Sequence, residues 1–163
     1  TKIDSSARSL RDALWGKVTA YRTEPHPFNT MGRAFGRLTG GNLSLIYALN
    51  GTDIDNPLEE PSVLLIEDVS EHIYHVDRML QNLKRSGKLA RVQAILVGHF
   101  TKIKGEEHWG TSVEQLVHEY TRELGIPVIF GFPAGHESPN YSLYMGRRVC
   151  VTVDSGGGWF DYQ

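Results

Sequence analysis

At 163 residues, with 40% hydrophobic and 22% charged side chains, the chain is sized for one ordinary core rather than two full domains. A formal charge of -2 supplies no basic footprint for nucleic acid. No apolar stretch approaches the roughly 18–20 residues that a membrane span needs, and the first residues lack the basic and apolar regions of a signal peptide.

The chain opens on Thr1 rather than Met, so an upstream segment, with any localisation signal it carries, is expected. Ser5 to Leu14 reads as a short amphipathic helix with a serine cap and Ala7, Leu10 and Leu14 on one face. Lys17 to Arg22 reads as a strand, and Glu24 to Thr30, with Pro25, Pro27 and Asn29, as a loop. Met31 to Leu38 is strand-like but holds Gly32 and Gly36, which suggests bends or a bulge. Gly40-Gly41-Asn42 then breaks the chain into a helix from Leu43 to Leu49, and a polar loop follows to Pro61.

Val63 to Ile66 is the first clear buried strand. Ser70 is expected to cap a helix in which Ile73, Val76, Leu80 and Leu83 repeat at helical spacing, with Lys84 and Arg85 in the last turn and Gly87 as the stop. Val92 to Gly98 is another buried strand, and Thr101 to Gly110 a polar loop. Ser112 and Gln115 form a capping box for a helix through Leu124 that Gly125 ends, and Ile126 to Phe130 is a strand. The middle of the chain is therefore strand, helix, strand, helix, strand, which implies parallel strands. Tyr141 to Met145, Arg147 to Val153 and Trp159 to Tyr162 read as strands joined by turns, hence antiparallel. The fold class is α/β, with a parallel βαβαβ middle and an antiparallel C-terminal part.

Two residues stand where such a scaffold presents reactive groups. Glu67 ends the run Val63-Leu64-Leu65-Ile66, and His136 lies just past Val128-Ile129-Phe130 in a segment of glycine and proline. Glu67 is either a solvated strand end capping the next helix or a carboxylate held for chemistry. His136 is either an idle loop histidine or an imidazole placed for proton transfer. As a pair they suit the base and orienter of a hydrolytic triad. A nucleophile is not evident: Ser155 lies in a glycine-rich turn without a Gly-x-Ser-x-Gly frame, Ser44 in a helix and Ser142 in a strand. Cys150, the single cysteine, alternates into an apolar strand and reads as a small buried hydrophobe.

Other chemistries compete. His72 and His75 share a helix face and Glu71 stands four residues before His75, but no HExxH or paired-cysteine pattern supports zinc. Gly40-Gly41-Asn42 leads into a helix N-terminus, which is either a tight turn or a place for an anion. Trp109, in the polar loop, is either a cleft contact or an ordinary surface residue.

Several segments together resemble the LD-carboxypeptidase family: Gly36-Arg37-Leu38-Thr39-Gly40-Gly41-Asn42-Leu43-Ser44, Asn50-Gly51-Thr52, Leu64-Leu65-Ile66-Glu67-Asp68-Val69-Ser70-Glu71, Asp77 to Leu83, Gly98-His99-Phe100 and Gly135-His136. The resemblance runs from about residue 8 and covers only the family's C-terminal domain. It implies a swivelling β/β/α domain (residues 1–163, with 1–23 partly linker) that bears the glutamate and histidine of a Ser-His-Glu triad. Glu67 and His136 are the matching catalytic positions, while the serine belongs to an N-terminal nucleophile domain of the same protein. It implies a cytoplasmic hydrolase of murein tetrapeptides, cutting an L-to-D bond such as diaminopimelate–D-alanine, and a possible homodimer. No metal and no organic cofactor is implied. A sister branch, the microcin-immunity proteins, cleaves peptide-nucleotides, and a non-catalytic binder of peptidoglycan fragments is the other alternative. Neither nucleic acid nor membrane is expected as a partner.

Overall fold

The computed structural model describes residues 4–55, 58 and 60–163. Residues 1–3 of the expected linker, and 56, 57 and 59 of the loop before Pro61, lie outside the described residues. In chain order the elements are α1 (Ser5–Leu14), β1 (Ala20–Thr23), β2 (Gly32–Asn42), α2 (Leu43–Leu49), β3 (Ser62–Val69), α3 (Ile73–Arg85), β4 (Val92–Thr101), α4 (Glu106–Trp109), α5 (Val113–Thr121), β5 (Val128–Phe130), β6 (Arg148–Asp154) and β7 (Gly157–Tyr162). All the strands form one sheet in the order β1-β7-β6-β2-β3-β4-β5. β2, β3, β4 and β5 are parallel neighbours, and β6, β7 and β1 are added antiparallel beyond β2. The expected mixed α/β sheet is present, and its parallel set begins one strand earlier than the sequence pattern indicated.

β3 is buried along nearly its whole length because both faces of the sheet are covered. Leu64 and Ile66 pack with Ile95, Val97, Val128 and Phe130 against α2, α3 and α5, through residues such as Leu43, Val76, Leu80, Leu116 and Val117. Val63 and Leu65 point the other way, and join Leu38, Ala94, Leu96, Ile129, Val149, Val151 and Phe160 under Phe132 and Ala134. Among the described residues, no helix is long and apolar enough to cross a membrane.

The differences from the sequence pattern have local causes. β2 continues through Gly40 and Gly41 to Asn42, since both stay paired with β3 at Leu65 and Ile66, at φ 104 and 131. β3 and β4 likewise continue past their apolar runs, to Val69 and Thr101. Ser70 does not cap α3. It sits at φ 62 with its N–H on Thr101 O, and the N-cap is His72. The polar loop after Thr101 contains the single turn of α4. Tyr141–Met145 is not a strand, because its backbone bonds go to separate partners: Tyr141 N–H to Pro133 O, Ser142 N–H to Ser9 Oγ and Tyr144 N–H to Tyr162 Oη. Cys150 is buried, and Arg33 Nε donates to its Sγ at 3.4 Å.

Candidate active site

The centre of the site is a mismatch between two parallel strands. Ile66 pairs with Val97 and Asp68 with Phe100, so Gly98 and His99 together face Glu67. The extra residue is a bulge, which bends the end of β4 and re-aims the side chains beside it. On its other side Glu67 pairs with Asn42 of β2.

The chain leaving β5 folds back over that bulge. Phe132 N–H donates to Val97 O at 3.0 Å and His99 N–H to Ala134 O at 2.8 Å. Gly98 is needed for this crossing: a Cβ there would overlap Ala134 O and stand 3.1 Å from Glu67 Cβ. Gly135 is needed for the next step, with φ +134 and with the place of its missing Cβ 3.1 Å from Glu67 Oε2. His136 then meets the carboxylate, with Nδ1 2.7 Å from Glu67 Oε2.

A carboxylate only accepts, so the proton of that bond is on Nδ1 and Nε2 is left as the basic nitrogen. The side chains differ in burial, 9% exposed for Glu67 and 50% for His136. The geometry therefore assigns distinct chemistry to each: a buried acceptor that fixes a tautomer, and an accessible nitrogen that can take up a proton. Among the described residues no hydrogen bond reaches His136 Nε2. A cleft of about 430 Å³ lies beside the pair, lined by the neighbouring Gly98, His99, Lys102, Gly131 and Glu137 among others, and not by Glu67 or His136 themselves.

Asp68, one residue on, points to the opposite face and serves the fold. It is 1% exposed and accepts from Asn42 Nδ2 at 2.9 Å, Ser44 N–H at 2.8 Å and Val69 N–H at 2.8 Å. With Asn42, whose Oδ1 accepts from Leu45 N–H, it fills the N-terminus of α2. The anion that the glycine–asparagine turn suggested is thus the chain's own carboxylate. Asp68→Asn cannot accept at both oxygens. It is expected to lower the unfolding free energy by about 1–3 kcal/mol with the Glu67–His136 bond intact, which urea titration and histidine NMR would check.

The remaining sequence candidates do not join the pair. Ser44 Oγ donates to Asn42 Oδ1, Ser142 is bonded through its backbone to Ser9, and Ser155 lies in the β6–β7 turn. His75 Nδ1 is 2.9 Å from Glu71 Oε2, and the rings of His72 and His75 are 6.0 Å apart. Among the described residues no group of three or more His, Cys, Asp or Glu is arranged to hold a metal ion. Trp109 is half exposed at the end of α4. Sequence reasoning missed Asn140, whose Oδ1 accepts from Gly135 N–H at 3.2 Å. An asparagine shortly after a glycine was the only available signal, and it is a weak one.

A buried carboxylate holding an exposed imidazole at the carboxyl ends of parallel strands defines a domain equipped for proton transfer. The chain belongs to the LD-carboxypeptidase family: the family's C-terminal domain matches residues 35–151. A "Probable murein peptide carboxypeptidase" of Bacillus subtilis (strain 168) is 37% identical over 140 residues, which is 82% of this chain and 42% of that protein. The E. coli "Microcin C7 self-immunity protein MccF" is 26% identical over 132 residues, 78% of this chain and 37% of that protein. Among solved structures, a muramoyltetrapeptide carboxypeptidase from Oxalobacter formigenes superposes with a TM-score of 0.83 at 26% identity, over 99% of this chain and 55% of that one. The chain thus spans less than half the length of the curated relatives it matches.

Proposed function

We propose that residues 1–163 form one domain, with 1–23 partly linker, and that this domain supplies the base and orienter of a serine-type LD-carboxypeptidase. The observation that carries the reading is the 2.7 Å bond from His136 Nδ1 to the buried Glu67. The nucleophilic serine comes from an N-terminal domain of the same protein. As it attacks the carbonyl of an L-to-D peptide bond, His136 Nε2 takes the hydroxyl proton and then delivers it to the leaving amine of the D-residue. Water enters, loses a proton to the same nitrogen and attacks the acyl-serine, and Nε2 returns that proton to the serine oxygen as its bond to the acyl group breaks. Glu67 stays ionised throughout, holds the tautomer and stabilises the imidazolium. The substrate class is the murein tetrapeptide, with diaminopimelate–D-alanine as the bond cut.

On this reading the purified chain alone releases no D-alanine from murein tetrapeptide, and the same chain joined to a serine-bearing N-terminal domain does. Measurable turnover by residues 1–163 alone would refute the division of the triad. The relationship to MccF favours one other substrate class, a peptide-nucleotide cut by the same chemistry. Comparing kcat/KM on a muropeptide and on an aminoacyl-nucleotide analogue separates the two.

A further inference from the structure

The way α1 is attached to the rest of the fold is opposite to what its sequence suggests. Its apolar residues repeat at helical spacing, yet Leu10 is 53% exposed and Leu14 72% exposed, and the one buried residue of the helix is Ser9. Hydrogen bonds attach it instead. Ser6 Oγ accepts from Asn140 N–H at 3.0 Å, and Ser9 Oγ accepts from Ser142 N–H at 2.9 Å. Tyr21 Oη, 2.9 Å from Ser9 Oγ, donates to Ser142 O at 2.6 Å, and Ala13 O accepts from Tyr144 Oη at 2.7 Å.

Asn140, Ser142 and Tyr144 lie in the segment that follows His136, the same segment that forms no strand. Asn140 also reaches back, since its side chain accepts from Gly135 N–H at 3.2 Å. Ser6, Asn140 and Gly135 are thus linked in series, and Gly135 precedes the imidazole. Gly135 has no side chain of its own to anchor the turn, and the His136 ring is half exposed, with Glu67 as its one hydrogen-bond partner among the described residues. Such a ring keeps one orientation only if its backbone is held.

We infer that Ser6 and Asn140 are positioning residues for His136, and that α1 serves to clamp the histidine loop. The inference rests on the reading of His136 as the general base. It predicts that the pair's geometry is lost when either link is cut at its side chain, even though neither residue touches Glu67 or the imidazole.

The test is NMR on the whole chain, following the Nδ1 proton and the ring nitrogens of His136. Wild type is expected to show one tautomer and a protected low-field Nδ1 proton. Asn140→Ala removes the acceptor for Gly135, and Ser6→Ala the acceptor for Asn140. Each should speed exchange of that proton by about tenfold or more and mix the tautomers, while Asn140→Asp and Ser6→Thr, which keep an acceptor, restore both. If Asn140→Ala fails to fold, Ser6→Ala on the surface of α1 decides. Exchange within twofold of wild type in the alanine variants that fold would overturn the positioning role. A wild-type ring without a fixed tautomer would remove the pair and the clamp together. In the enzyme carrying the serine domain, the same alanine variants should lower kcat by about tenfold, with KM nearly unchanged. Wild-type kcat in His136→Ala would strike the underlying reading rather than the clamp, because the proton signature of the other variants is measured without turnover.

Discussion

His136→Ala is expected to lower kcat/KM for D-alanine release by roughly 10⁴- to 10⁶-fold, measured in the enzyme that joins this chain to the proposed serine domain. Among the described residues His136 is the one imidazole hydrogen-bonded to Glu67, so on the proposed reading its loss removes the oriented base. Glu67→Gln tests a different property. The amide keeps the shape but can present its NH₂ to the ring, which turns the proton to the wrong nitrogen, and a loss of about 10⁴-fold in kcat follows. Stability separates chemistry from collapse. His136→Ala leaves the buried Glu67 carboxylate without the ring N–H, so it should lower the unfolding free energy by about 1–3 kcal/mol while the protein stays folded. Wild-type turnover in either variant, with the protein folded, would end the assignment.

Gly98→Ala is expected to damage both stability and activity, although it changes no functional group. Its Cβ would overlap Ala134 O, the atom that takes the His99 N–H, and would press on Glu67 Cβ. Both neighbours are fixed: Ala134 O belongs to backbone and Glu67 Cβ to a buried strand, so the loop must lift. Overpacking of this kind costs about 1–3 kcal/mol, and a displacement of about 1 Å at the imidazole costs on the order of a hundredfold in rate. Thermal unfolding together with kcat of the joined enzyme checks both. A Gly98→Ala protein with wild-type rate would mean that the loop does not hold His136 through this crossing.

Much of this architecture is legible in the residue pattern. The parallel middle follows from apolar runs alternating with the helical spacing of Ile73, Val76, Leu80 and Leu83. The cap of α5 is visible in Ser112 and Gln115, and the structure gives the Gln115 N–H to Ser112 Oγ bond at 3.2 Å. The positions of Glu67 and His136 could be read as strand-end residues, but their meeting could not. It depends on a bulge at Gly98–His99 and on a loop crossing, both set by pairing between strands distant in sequence. Spacing located α1 at Ser5–Leu14 but not the face by which it attaches, where bonds from backbone N–H groups to serine hydroxyls hold it and Leu10 and Leu14 stay exposed. The glycines of β2 were misleading. Gly40 and Gly41 read as a break but stay paired with Leu65 and Ile66 at positive φ, a backbone that glycine adopts without steric cost.

Glu67 and Asp68 are adjacent in one strand and do unrelated work on its two sides. The division depends on the alternation of β3, so shifting that strand by one residue exchanges the two carboxylates: the ring would face a helix-capping position and α2 would lose its anion. In an insertion or deletion scan, Ser62–Val69 should therefore tolerate no change of length at all. The exposed turn at residues 52–54, in the stretch that leads into the same strand, is where changes of length can be absorbed. Where this domain has diverged in length, the mark should lie before β3 and never within it.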